Sequence, residues 1–199
     1  MRTLIYDSII FRPLLNFLGR AYLKLIGWRV VGSPPDIDKF VAIAAPHTSN
    51  WDFPIFMALV GYFGIRVRYL GKDTLFRGFS GRLFYWLGGI PVVRDTRDAA
   101  ALVDVALELF ANERELILGI APEGTRSNVT KWKSGFYRIA VAANVPIVMA
   151  YLDADRREIG FGRVFYPTGD KNKDMAEIKA FYAQKRGLGQ PKKPLKQSQ

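Results

Sequence analysis

Short apolar runs alternate with longer stretches of helical periodicity along most of this chain, and few architectures accommodate that alternation. The runs read as strands at Phe40–Ala45, Val67–Leu70, Ile90–Val93, Leu116–Ile120, 145–151 and 158–165. Helical patterns cover 52–62, 74–87, 97–112 and 134–143, and Met175, Ile178, Phe181 and Tyr182 mark a last helix. Strands separated by helices of this length predict an α/β fold: a single layered domain with a mixed, largely parallel sheet flanked by helices. At 199 residues, 49% of them apolar, the chain suits one core and leaves little room for a second. With no cysteine, disulfide and thiolate chemistry are excluded, and a single histidine, His47, makes a structural zinc site implausible.

The net charge of +11 belongs to the two ends. Residues 1–30 carry Arg2, Arg12, Arg20, Lys24 and Arg29 against Asp7, while 185–199 carry Lys185, Arg186, Lys192, Lys193 and Lys196 with no acid. Such ends attract polyanions, whether nucleic acid or anionic lipid. Leu4, Phe11, Leu15, Leu18, Tyr22 and Leu25 recur as one helical stripe, which Pro13 is expected to kink or divide. This helix suits a membrane interface, which is the preferred reading, and docking on the protein's own core is the plainer alternative. The longest uncharged runs, 53–65 and 139–152, are too short to span a bilayer and both contain proline. The start of the chain lacks the pattern of a signal peptide. The organisation expected is an amphipathic membrane-surface segment over 1–30, a folded domain over 31–186 and a basic, disordered tail over 187–199.

Three loops at strand ends hold unusual polar groups: Pro46–Asp52, Gly88–Arg94 and Pro122–Arg126. Within one helix a five-residue offset would turn His47 and Asp52 about 140° apart. They can meet if His47 lies in the loop and Asp52 in the first helical turn, with Thr48, Ser49 or Asn50 as the N-cap. A carboxylate on Nδ1 would then fix the tautomer and leave Nε2 free as a base; a histidine near a helix cap is the plainer reading. Ser49 sits in no Gly-x-Ser-x-Gly elbow, so a serine hydrolase is disfavoured, and a base without an internal nucleophile implies a substrate hydroxyl. In Pro122–Arg126, Gly124 permits a turn that points Glu123, Thr125 and Arg126 into one space. Arg126 suits a phosphate, and Glu123 suits a substrate hydroxyl or an arginine; a surface turn with an internal ion pair is the ordinary alternative. Arg94 is a second candidate phosphate ligand, Lys72, Lys131 and Lys133 can add charge, and Trp86 and Trp132 read as packing residues. No glycine pattern supports nucleotide binding.

Taken in order, these pieces resemble the glycerolipid acyltransferase family that includes the 1-acylglycerol-3-phosphate (lysophosphatidic acid) acyltransferases. His47 and Asp52 match its first motif, Gly88, Ile90, Pro91, Val92 and Arg94 its second, and Pro122 through Arg126 its third. Val145, Pro146, Ile147 and Val148 match the fourth, with Met149 where proline is usual. Lys72 before Leu75 and Phe76, and Trp132-Lys133-Ser134-Gly135, resemble two further family segments. The resemblance covers about residues 41–150. It implies acyl transfer from an acyl-CoA or acyl carrier protein thioester to the free hydroxyl of a lysolipid, in phospholipid biosynthesis. His47 and Asp52 would be catalytic; Glu123, Gly124, Thr125, Arg126, Arg94, Lys72 and Lys133 would bind the acceptor. The oxyanion donors are expected among backbone N–H groups near the helix start. No metal and no cofactor beyond the thioester co-substrate is implied, and the partners are membrane lipids, not nucleic acid, at the cytoplasmic face of a bacterial inner membrane. Met149 and the Asn50-Trp51 pair leave room for another acceptor, such as a lyso-ornithine lipid. A non-catalytic basic protein binding membrane or nucleic acid would explain the charged ends but neither His47–Asp52 nor Pro122–Arg126.

Overall fold

A computed structural model describes residues 3–92, 99–125 and 132–191. Strands β1 (Arg29–Val31), β2 (Lys39–Ala45), β3 (Val67–Lys72), β4 (Gly89–Val92), β5 (Leu116–Ile120), β6 (Ile147–Asp153) and β7 (Glu158–Phe165) form one sheet in the order β1-β7-β6-β2-β5-β3-β4. Every neighbouring pair is parallel except β6 and β7, so the sheet is mixed and mostly parallel, as the alternation of elements predicts. The helices are α1 (Phe11–Leu25), α2 (Asp52–Phe63), α3 (Gly78–Trp86), α4 (Ala99–Asn112), α5 (Gly135–Ala142) and α6 (Lys171–Tyr182).

Burial on both faces explains why β2 reads as an unbroken apolar run rather than an alternating one. Val41, Ile43 and Ala45 face a core shared with α4, α5 and α6 through Val103, Phe110, Phe136, Ile139 and Ile178. Phe40 and Ala42 face the opposite layer, against Leu23 of α1 and Ile55 and Leu59 of α2. Met149 is fully buried in the first of these cores, in register with Ile43.

Several local expectations change. β1 escapes the sequence pattern because it is three residues long and finds its partner 129 residues away, Arg29 standing opposite Glu158. The helix expected over 74–87 is two pieces, a 3₁₀ turn at Asp73–Phe76 and α3, separated by Arg77 in extended conformation (φ −92°, ψ 151°). Pro13 does not kink α1. It is the third residue of that helix, where the backbone N–H has no intrahelical partner in any case. Leu4, expected on the helical stripe, precedes a 3₁₀ turn (Ile5–Asp7) and packs inward.

α1 carries two apolar faces. Gly19 and Leu23 are buried, and Leu15, Tyr22 and Ile26 pack inward beside them. Phe11, Leu18 and Leu25 from the expected stripe turn outward together with Leu14 and Phe17. The inner face meets α2 at very short range: a Cβ on Gly19 would lie 2.5 Å from the Ala58 carbonyl oxygen, and one on Gly61 would lie 2.6 Å from that of Leu15. Among the described residues no helix is long and apolar enough to cross a membrane.

The glycine contact yields a stability prediction opposite in sign to helix propensity. Gly19→Ala should gain about 1 kcal/mol from propensity, but it forces backbone apart and should destabilise the fold by about 1–3 kcal/mol net. Chemical denaturation measures it; an unchanged or raised midpoint would refute the packing.

Candidate active site

β2 and β5 are parallel neighbours, yet the chain leaves them toward opposite sides of the sheet. After β2 it enters α2, in the layer of α1; after β5 it reaches α5, in the other layer. Connections that diverge in this way open a crevice beyond the carboxyl ends of the two strands. His47 follows β2 into that crevice, and Glu123 follows β5.

Asp52 is the first residue of α2 and is fully buried. Its Oδ2 accepts the backbone N–H groups of Thr48 (2.6 Å) and Ser49 (2.7 Å) and lies 3.3 Å from Nδ1 of His47. The five-residue offset is therefore bridged as the sequence requires, with the histidine in the loop and the carboxylate at the helix start, where the helix dipole also favours negative charge. None of the expected N-caps is used. The cap position is Trp51, without a side-chain bond, and Ser49 Oγ accepts the Trp51 N–H (3.2 Å) just ahead of the helix. The loop amides turn back to the carboxylate instead, which fastens residues 48–49 to the residue that faces the imidazole. The His47 side chain is 19% exposed.

Glu123 is 6% exposed, and its Oε1 accepts the backbone N–H of His47 at 3.2 Å. Sequence reasoning assigned it a substrate hydroxyl or an arginine and missed this bond; no local pattern links residues 76 positions apart. Burial holds the Glu123 carboxyl above the ordinary glutamate range, opposed by the amides of Glu123 and His47 and by the charge of the imidazole. Asp52 Oδ1 and Glu123 Oε2 are buried without a hydrogen-bond partner among the described residues.

Gly124 adopts φ +63°, and its N–H donates to Ala121 O at 3.2 Å. The Lys133 N–H donates to Pro122 O at 2.8 Å, and the exposed Lys133 side chain lies along Gly124 where a Cβ would approach its Cδ and Cε to 3.0 Å. His47, Asp52, Glu123, Gly124 and Lys133 are thus brought together, with half-buried Thr125 adjoining. Lys72 is exposed at the end of β3, separated from β2 by β5. Arg94, Arg126 and Lys131 lie outside the described residues. Trp86 stacks edge-on against Phe11, and Trp132 packs on Tyr182 and Phe136, so both are packing residues. Among the described residues no three His, Asp or Glu side chains converge in the manner of a metal site.

The raised Glu123 pKa sets a pH dependence. A carboxyl whose folded pKa exceeds its unfolded one loses stability as pH climbs above the ordinary value of 4.5, because the unfolded chain releases the proton first. Glu123→Gln keeps the acceptor for His47 N–H and removes that titration. Its stability relative to wild type should therefore improve as pH rises from 4.5 and level off once the folded carboxyl has ionised; a pH-independent difference in denaturation midpoints would contradict this.

Comparison with known proteins gives the family. The Acyltransferase family model matches residues 35–152, more than half of the chain. The 1-acyl-sn-glycerol-3-phosphate acyltransferase of Haemophilus influenzae is 28% identical over 171 residues, covering 82% of this chain and 67% of that protein. The Escherichia coli K12 protein of the same name is 27% identical over 96 residues, 47% of this chain and 39% of its own, so the alignment spans well under half of that relative. The crystal structure of the 1-acyl-sn-glycerophosphate (LPA) acyltransferase PlsC from Thermotoga maritima superposes with a TM-score of 0.61 at 19% identity, over 86% of this chain and 76% of that one, and shares the fold. The matched segment holds the whole crevice described above, from His47 to Lys133, and the chain accordingly belongs to the Acyltransferase family.

Proposed function

We propose that this acyltransferase moves an acyl chain from a thioester, acyl-CoA or acyl carrier protein, to the free hydroxyl of a lysolipid at a membrane surface. 1-Acylglycerol-3-phosphate is the acceptor that the named relatives favour. The observation that carries the reading is the approach of His47 Nδ1 to the buried Asp52 carboxylate, with the imidazole itself partly exposed.

In this mechanism Nε2 of His47 takes the proton of the acceptor hydroxyl as its oxygen attacks the thioester carbonyl. Asp52 orients the ring and offsets the charge it acquires. The tetrahedral intermediate collapses by breaking the carbon–sulfur bond, and the departing thiolate recovers the proton from the imidazolium. The amides of His47, Thr48 and Ser49 already donate to Glu123 and Asp52, so the oxyanion takes its donors from other groups. Lys133 over Gly124 supports an anionic headgroup beside Glu123, with Thr125, Arg126, Arg94 and Lys72 as the remaining acceptor-binding residues.

Both substrates carry acyl chains, and the outer face of α1 suits a lipid surface. Ile9 and Ile10, just ahead of α1, are 92% and 72% exposed, Phe17 and Leu25 within it are 67% and 86% exposed, and the exposed Arg12, Arg20 and Lys24 lie on that helix. Phe79 and Leu83 of α3 are exposed too, and the Phe11–Trp86 contact (4.9 Å between ring centres) joins the two helices. An apolar face with cations around it binds anionic membranes. We place the protein on the cytoplasmic face of the membrane, where acyl thioesters are available.

A panel of lysolipids with labelled acyl-CoA and acyl carrier protein tests the activity. Lysophosphatidic acid should be the best acceptor, and a preference for a lyso-ornithine lipid would move the assignment to that class. His47→Ala should lower kcat by about 10²–10⁴-fold in a folded protein; retained turnover would exclude His47 as the base. Arg126→Ala should raise the acceptor KM, and unchanged kinetics would remove it from the headgroup site. Ile10→Asp with Phe17→Asp should weaken sedimentation with anionic vesicles at least tenfold without changing Tm, and undiminished binding would reject the α1 face.

A further inference from the structure

Beyond α6 the chain turns back across the carboxyl ends of β2 and β6. The Tyr182 hydroxyl bridges the carbonyl oxygens of Ile43 (3.2 Å) and Ala150 (3.0 Å), and Lys185 Nζ sits 4.0 Å from the centre of the Tyr151 ring. Arg186 then enters the protein, 8% exposed. Its Nε donates to Asp155 (2.5 Å), its guanidinium also donates to the carbonyls of Gly187 and Gln190, and its own carbonyl accepts the Ala154 N–H (2.8 Å). Gly187 N–H donates to the Gln190 side chain (3.0 Å), and Gln190 N–H returns to Gly187 O (3.2 Å). The result is a closed turn, fastened to the end of β6, inside a stretch that the sequence reads as a disordered tail.

This turn rests on the residue next to the proposed base. Gly189 N–H donates to Thr48 Oγ1 at 3.0 Å. A Cβ on Gly187 would stand 2.3 Å from that same oxygen, and one on Gly189 would stand 2.3 Å from the Thr48 carbonyl oxygen. The backbone of the loop is already tied at His47 to Glu123 and at Thr48 and Ser49 to Asp52. The turn adds a hold on the Thr48 side chain, from a direction that neither carboxylate covers.

We infer that residues 186–190 form a strap that sets the position of His47, with Gly187 and Gly189 as positioning residues. The inference rests on His47 being the base of the proposed reaction. Its physical content is steric as well as polar. A side chain at either glycine must push Thr48 aside, and Thr48 carries one of the amides that align Asp52 with the imidazole. A misplacement of about 1 Å in a reacting group costs on the order of 10²-fold in rate. The strap lies outside residues 35–152, the segment that the family model matches.

Four full-length proteins test the strap: wild type, Gly189→Ala, Thr48→Val and Thr48→Ser. kcat and KM are measured for acyl transfer, Tm for the fold, and, independently of activity, the rate at which diethylpyrocarbonate modifies the single histidine. Gly189→Ala and Thr48→Val should lower kcat at least tenfold with KM within twofold, and change the modification rate at least threefold. Thr48→Ser, which keeps the acceptor oxygen, should match wild type in both. The strap is overturned if folded Gly189→Ala and Thr48→Val keep wild-type kcat and modification rate, or if Thr48→Ser behaves like Thr48→Val. It is also overturned if both variants lose activity only through loss of the fold. A wild type without acyl transfer would sink the proposed function instead, while the modification rates would still report on the strap.

Discussion

A carboxylate with no solvent exposure, at the first residue of α2, organises the crevice. Burying a charge is costly unless hydrogen bonds compensate it, and Asp52 obtains that compensation from the Thr48 and Ser49 amides and the imidazole. The same bonds that make its burial tolerable hold the loop that carries His47. Positioning and solvation of the charge are one arrangement, so neither can be altered alone.

The scaffold makes the arrangement possible by sending α2 and α5 to opposite faces of the sheet from adjacent strands. Glu123 then reaches His47 from β5 while Asp52 reaches it from α2, across a sequence gap that no local pattern bridges. The α1 helix secures the outer side of α2 through the close Gly19 and Gly61 contact, and this approach leaves the other apolar face of α1 open. Docking on the core and offering an apolar surface, alternatives in the sequence, are met by different faces of one helix.

Much of the fold was legible because buried parallel strands leave continuous apolar runs and amphipathic helices leave a 3.6-residue stripe. β1 was not, since three residues carry no periodicity and its pairing with β7 is decided by tertiary contact. Pro13 misled for a related reason: the cost of a proline depends on its place within a helix, and α1 begins at Phe11, which puts Pro13 in the first turn. At the site, His47 and Asp52 were legible from their offset. The Glu123 bond and the Gly187–Gln190 turn were not, because glycines and glutamine near a basic terminus look alike whether they hang free or close on a threonine.

The sequence by itself determined the order of strands and helices from β2 onward and the five-residue offset of His47 and Asp52. These are local properties, written in periodicity and spacing. Tertiary structure decided which amides compensate Asp52, which carboxylate holds the His47 backbone, and which face of α1 remains open. Those outcomes depend on groups that meet only after distant segments pack, where the cost of an unpaired buried charge selects one arrangement.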